Sequence, residues 1–152
     1  MLRHIVIAAA LIAPVAACHA ESPTAPAQQA QAALTPLSIE TATGKRAFKV
    51  EIARTEAQQE QGLMFRTSLP ADGGMIFPFD PPRPATFWMK NTVIALDMIF
   101  IRADGTIARI AAQTTPYSLD MVESGEPVAA VLEIAGGRAD ELGIAEGDKV
   151  RW

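Results

Sequence analysis

"FWMKNTVIALDMIFI", residues 87–101, reads as a buried β-strand with a cation, an amide and a carboxylate set inside it. Met98 to Ile101 is apolar at every position, as expected of a strand covered on both faces, so Leu96–Ile101 belongs at the centre of a sheet. Upstream, Ala85 to Lys90 alternates. Ala85, Phe87 and Met89 share one face, and Thr86, Trp88 and Lys90 share the other. Trp88 and Lys90 thus present an aromatic face and a cation side by side. Asn91-Thr92 supplies turn chemistry, because an Asn side chain bonds nearby backbone. An unpaired buried carboxylate costs several kcal/mol, so Asp97 requires partners. The candidates are Lys90, Arg66 and the backbone N–H groups of the Asn91–Thr92 turn.

Short strands with close turn signals surround this centre. "AFKVEIA" alternates strictly, and with "LSIETATGKR" before it forms a hairpin over residues 37–53. "RTEAQQEQGLM" reads as a short helix, with Thr55 and Gln58 as a capping box and Gly62 as its stop. "MIFPF" and "ATFWMK" read as two strands separated by the proline-rich Asp80-Pro81-Pro82-Arg83-Pro84, with Pro78 marking an edge or an end. "ADGT" turns the chain into "IARIAA", "ESGEP" is a turn, and "VAAVLEI" is a strand with Val128, Ala130, Leu132 and Ile134 on one face. "GGRADELG" is one helical turn or two, and "AEGD" leads into a last strand, "KVRW". About eight strands without a βαβ rhythm predict a mainly β domain, an antiparallel sandwich or small barrel.

The N-terminal end reads differently. Arg3 precedes an apolar run from Ile5 to Ala17, shorter than the roughly 20 residues of a membrane-spanning helix, and small residues follow. This is the pattern of an export signal over residues 1–17. Val15-Ala16-Ala17-Cys18 resembles the lipobox of bacterial lipoproteins, which implies cleavage before Cys18 and acylation of its thiol. Cleavage after Ala20, or retention as an uncleaved anchor, are the alternatives. Residues 18–35, rich in Ala, Gln and Pro, read as a tether, and residues 36–152 as one domain. The location expected is the periplasmic side of a membrane, with the soluble periplasmic or secreted form as the other reading. His19 after the cysteine leans toward the outer membrane, by lipoprotein resemblance, if the cell is diderm.

Composition excludes several chemistries. The histidines, His4 and His19, and the single cysteine, Cys18, all lie before residue 36. The domain therefore has no His base, thiol nucleophile, disulfide or His/Cys metal site, and no cofactor is expected. Removing residues 1–17 takes one of 13 basic residues and leaves 12 against 17 acidic, a net of −5. That balance argues against nucleic acid. The methionines read as gap-filling core residues rather than a metal site.

Gly62-Leu63-Met64-Phe65-Arg66, Gly74-Met75-Ile76-Phe77, Phe87-Trp88-Met89-Lys90-Asn91-Thr92 and Leu96-Asp97-Met98 carry a resemblance to domain-of-unknown-function family 192. "VLEIAGGRADELGIAEGDKV" resembles the family's ending. The resemblance covers residues 49–150. It implies a jelly-roll β-sandwich with short helices, in proteins often exported or lipid-anchored, and no reaction or cofactor. Where the family often carries Pro-Cys-Ser, this chain has Pro116-Tyr117-Ser118, so no thiol chemistry transfers.

These readings place Arg66, Trp88, Lys90, Asn91 and Asp97 at one end of the domain, lining a shallow polar cleft with an aromatic wall. The bland alternative has Asp97 pinning a tight connection, Lys90 capping it and Trp88 in the core. Function divides in the same way. A non-catalytic envelope module would bind a small anion, a glycan or an envelope protein, attached to the membrane through Cys18. A hydrolase or transferase on envelope polymers would use Asp97 with a second carboxylate, for which Asp80 and Asp120 are the candidates. A purely structural or assembly role would require a filled cleft and an exposed apolar patch elsewhere.

Overall fold

The computed structural model describes residues 33–152. The residues read as an export signal, Cys18 and most of the expected tether lie outside them. Seven strands and two short helices follow in chain order: β1 (Thr35–Thr41), β2 (Gly44–Ile52), α1 (Glu56–Gln61), β3 (Gly73–Phe87), β4 (Leu96–Ile101), β5 (Ile107–Thr114), β6 (Val122–Ala135), α2 (Arg138–Glu141) and β7 (Lys149–Arg151). They form one sheet in the order β5-β4-β6-β3-β2-β1-β7. All neighbours pair antiparallel except β2 and β3, which are parallel. The two ends of the sheet meet. Thr106, just before β5, bridges Lys149 of β7, and the Ile107 N–H donates to the Asp148 carbonyl at 2.9 Å. The mainly β fold is thus a single sheet curled into a small barrel, one way of removing exposed strand edges.

Side chains from all seven strands fill the interior, among them Ile39, Val50, Ile76, Ile99, Ile107, Leu132 and Val150. A second apolar layer lies on the opposite face of β3, β4 and β6. There Met75, Phe77, Met98, Phe100 and Val131 are covered by Ala53, Leu63 and Met89 from connecting segments. This explains why β4 is buried at all six positions. Its odd-numbered residues Ile99 and Ile101 face the barrel interior, and Leu96, Met98 and Phe100 face the outer layer.

Three local expectations are corrected. "MIFPF" and "ATFWMK" are not separate strands. β3 is one 15-residue strand at the centre of the sheet, and its ladder with β6 slips between Pro78 and Arg83, where the proline-rich stretch lacks N–H donors. Trp88, Met89 and Lys90 lie beyond its end. "ESGEP" is not a turn but lies within the 14-residue β6, at an irregularity where Gly125 takes φ 78°. Val128 faces the outer layer, away from Ala130, Leu132 and Ile134, because of the same slip in register. The helix α1 forms as its sequence predicts. Thr55 accepts from the Gln58 N–H at 3.2 Å, and Gln58 Oε1 accepts from the Thr55 N–H at 3.0 Å. Gly62 ends it at φ 47°.

Candidate functional site

A cavity of about 540 Å³ opens between α1 and the segment that follows β3. Glu56, Gln59 and Glu60 of α1 form one side, with Gly62 to Met64 continuing from it. Trp88, Lys90 and Thr92 form the other, and Phe77, Phe79, Arg83 and Phe87 of β3 line it between them. Each wall is anchored. Gln59 Nε2 donates to the Ala53 and Pro78 carbonyls at 3.2 and 3.3 Å, which holds α1 against β3. The Phe65 N–H donates to the Asn91 carbonyl at 2.9 Å, and the Tyr117 N–H to the Thr92 carbonyl at 3.1 Å, so the second wall is clasped from both sides. The phenyl rings of Phe77 and Phe87 meet edge to face, 5.1 Å between centroids. Lys90 Nζ stands 4.9 Å from the Trp88 ring centroid, and the Arg83 guanidinium 4.2 Å from that of Phe79. Both cations thus rest on aromatic faces, an attraction of about 0.5–1 kcal/mol at exposed sites.

Glu133 of β6 completes the lining. It is 5 % exposed. In the ladders it pairs with Met75 on one side and Met98 on the other, so apolar neighbours flank it. No side-chain polar atom among the described residues is sealed away without a hydrogen-bond partner. The Glu133 carboxylate makes no hydrogen bond there, so its oxygens retain access to the cavity. Burial alone pushes its carboxyl up from 4.5 to about 8, with no partner to stabilise the charged form.

The five residues singled out from the sequence divide between this cavity and its scaffold. Trp88, 40 % exposed, and Lys90 line it. Asn91 does not. It sits in the left-handed region at φ 56°, its carbonyl bonds Phe65, and its Nδ2 lies 3.8 Å from Met64 Sδ, so it holds the two walls together. Arg66 lies outside the lining as well. It pairs with Glu51 of β2 through both guanidinium Nη atoms, one at 2.8 Å, and that bond raises its pKa further. The expected partners of Asp97 are corrected. Asp97 is 0 % exposed and bonds neither Lys90 nor Arg66 nor the Asn91–Thr92 turn. Its Oδ1 accepts from the backbone N–H groups of Gln113 at 2.7 Å and Gly137 at 2.8 Å, and its Oδ2 from Ala139 at 2.7 Å. Gln113 belongs to a bulge, for the β4–β5 register shifts between Leu96 and Met98. Gly137 and Ala139 open α2, whose first N–H groups have no partner inside the helix. Asp97 is thus a staple between bulge and helix.

Glu133 was hidden in "VAAVLEI", where strict alternation pointed it to solvent. The signal for it was present. Val131, on the same side, is apolar, as is Leu132 on the other, so the strand is covered on both faces and its carboxylate with it. The cleft is open rather than filled, and four large apolar side chains are exposed nearby in sequence to its walls: Phe65, Tyr117, Leu119 and Met121. Phe65 and Tyr117 both adopt positive φ, 64° and 61°.

The chain matches domain-of-unknown-function family 192, described as "Uncharacterized ACR", over residues 38–152. Two crystal structures are similar. A protein of unknown function from Novosphingobium aromaticivorans superposes with a TM-score of 0.77 at 49 % identity, covering 78 % of this chain and 85 % of that one. A protein of Sinorhizobium meliloti, described provisionally as a transcription regulator, gives 0.76 at 42 % identity, covering 79 % and 94 %. No curated protein matches in sequence. With the family's span and its fold both present, the chain belongs to domain-of-unknown-function family 192.

Proposed function

We propose that this protein is a non-catalytic binding module of the cell envelope. It is exported, acylated at Cys18 and held to the membrane by residues 18–35, and it presents the Trp88–Lys90 cavity to a small ligand or to one end of a glycan or protein partner. The observation that carries the reading is an open cavity with aromatic walls and a buried carboxylate that no protein group satisfies. Its volume is in the range of small-molecule sites, roughly 300–1,000 Å³. The structural use of Asp97 also supports binding over acid–base chemistry at that residue, since three backbone donors occupy its oxygens. Lipid attachment is supported by the lipobox resemblance at Val15 to Cys18.

The alternative of a carboxylate-dependent hydrolase or transferase keeps one supporting observation. Burial favours the acid form of the Glu133 carboxyl, as a general acid requires. Glu56 and Glu60 are the other carboxylates in the lining.

Thermal melts of the full chain against sugars, amino sugars, short peptides, amines and carboxylates test the binding reading. At least one class is expected to raise the melting temperature by a few degrees, and Trp88→Ala to abolish the rise. A flat response to every class would sink it. Turnover of peptidoglycan fragments, lost in Glu133→Gln, would establish the alternative. Palmitate labelling tests the anchor: the label and the membrane fraction should both be lost in Cys18→Ser, and an unlabelled wild type would remove lipidation.

A further inference from the structure

We infer that the cavity takes an organic cation: an ammonium group carried on an apolar or aromatic body, its charge meeting the Glu133 carboxylate and its body the aromatic wall. This rests on reading the cavity as a ligand site. Three observations narrow the ligand to this class. The first is the vacancy of partners at Glu133. Among the described residues no ion pair or hydrogen bond reaches its carboxylate, and the flanking Met75 and Met98 offer no donor. The second is the wall. Phe77, Phe79, Phe87 and Trp88 line the cavity, an apolar aromatic surface for the ligand's body. The third is the balance of charge. Glu56 and Glu60 from α1 stand with Glu133 against Arg83 from β3 and Lys90 from the segment beyond it, and both cations lie over rings of their own. A small anion would meet a carboxylate at the innermost charged position. An ammonium would meet the group the protein leaves unsatisfied.

The proton balance gives this inference a signature. Empty, the cavity holds Glu133 as the acid at neutral pH, because burial lifts its carboxyl to about 8. An ammonium ligand pairs with the carboxylate, so the carboxyl proton leaves to solvent as the ligand enters, and the ammonium keeps its own. Binding therefore releases a proton at pH 7, up to one per ligand. Affinity rises as pH approaches 8 from below and levels off above it. A neutral ligand that accepts a hydrogen bond from the acid form does the opposite, releasing no proton and weakening as pH rises.

Three probes of one shape separate the possibilities: benzylamine, benzyl alcohol and benzoate. They are titrated into the full chain by calorimetry in two buffers of different ionisation enthalpy, with the Met64 methyl resonance and the Trp88 fluorescence of a Trp152→Phe variant as site markers. Benzylamine is expected to bind at least about tenfold more tightly than benzyl alcohol, with proton release, and benzoate least of all. Glu133→Gln should remove the preference and the proton release while both neutral and cationic probes still reach the site. If benzyl alcohol or benzoate binds as well as benzylamine, or if benzylamine releases no proton, the cation assignment is overturned and the cavity remains a binding site. If none of the three perturbs Met64 or Trp88, the cation assignment and the ligand-site reading fall together.

Discussion

Asp97 and Glu133 stand almost opposite one another on adjacent strands, Asp97 beside Ile134 and Glu133 beside Met98 in the β4–β6 ladder. Both are buried carboxylates in apolar strands. They point to opposite faces of the sheet, and the faces treat them differently. On the interior side, Asp97 lies where the barrel ends, and three backbone N–H groups with no other use converge on it. On the outer side, Glu133 lies among methionines and phenylalanines beneath a cavity, and nothing in the described residues bonds it. The same chemical group serves as a fastener where the backbone supplies donors and as an unsatisfied acid where it does not. A carboxyl set in an apolar layer, bonded by no protein group and open only to a cavity, marks a candidate functional site. The pair therefore separates scaffold from site more sharply than any property of either residue alone.

The largest way to break the comparison is to remove the fastener. Asp97→Ala leaves three backbone donors unpaired inside the protein, and each hydrogen bond to a charged group contributes about 1.5–3 kcal/mol. At the low end of that range the expected loss is about 4.5 kcal/mol, a large part of the 5–15 kcal/mol that stabilises a typical domain. Asp97→Asn is the milder form. Whichever way its amide turns, an NH₂ group faces a backbone N–H, so the expected loss is about 2 kcal/mol. Urea denaturation measures both. A loss below about 0.5 kcal/mol in Asp97→Asn would mean that these bonds fasten nothing.

Glu133 predicts the opposite sign, and pH reveals it. Its carboxyl sits near 4.5 when unfolded and about 8 when folded. Between those values the folded state holds a proton that the unfolded state has released. The contribution of this group is therefore complete below pH 4.5, declines as pH rises, and is lost above 8. Glu133→Gln carries no such proton. The variant should match the wild type near pH 5 and exceed it near pH 9. The gap between the two pKa values sets a ceiling of about 5 kcal/mol, and water entering the cavity reduces this to about 2–3 kcal/mol. Denaturation midpoints at the two pH values give the comparison directly. Parallel curves for variant and wild type would place Glu133 in solvent or in a bond, and would remove the basis for a cation site.

Much of the scaffold was legible because it is written locally. The Thr55–Gln58 capping box, the Gly62 stop and the alternation of Ala85 to Lys90 each depend on residues a few positions apart. The conclusion that a buried Asp97 must find partners was also sound physics. Its partners were not legible, since Gln113, Gly137 and Ala139 lie 16, 40 and 42 residues away and offer backbone rather than side chains. No pattern of side-chain types announces a backbone donor. The long β3 was hidden by its prolines, which normally end strands but here fall where the ladder to β6 slips. Glu133 was missed for a further reason. Two-residue alternation assumes that one face of a strand is wet, and β6 is covered on both at that point. Trp88 and Lys90 could be joined from sequence because they alternate on one side, whereas the charge inside the cavity comes from a strand more than 40 residues on.

The smallest effect sharpens the fastener's role. Gln113 holds φ 50°, a left-handed conformation that a residue with a Cβ adopts at a cost of about 1–2 kcal/mol. What keeps it there is the bond from its N–H to Asp97 within the bulge. Gln113→Gly removes the steric cost and keeps the N–H, so the bond to Asp97 survives. Glycine adds freedom to the unfolded chain, worth about 0.5–1 kcal/mol against folding. The net expectation is a gain of about 0.5 kcal/mol, read from urea midpoints at unchanged slope. The Gln113 side chain lies beside Gly137, 3.7 Å from the position a Cβ there would take. If that side chain, rather than the backbone bond, shapes the bulge, Gln113→Gly will lose stability instead. Combining it with Asp97→Asn decides between the two. A backbone fastener predicts that the glycine's gain shrinks when the carboxylate is gone, because residue 113 is then no longer held in the left-handed region.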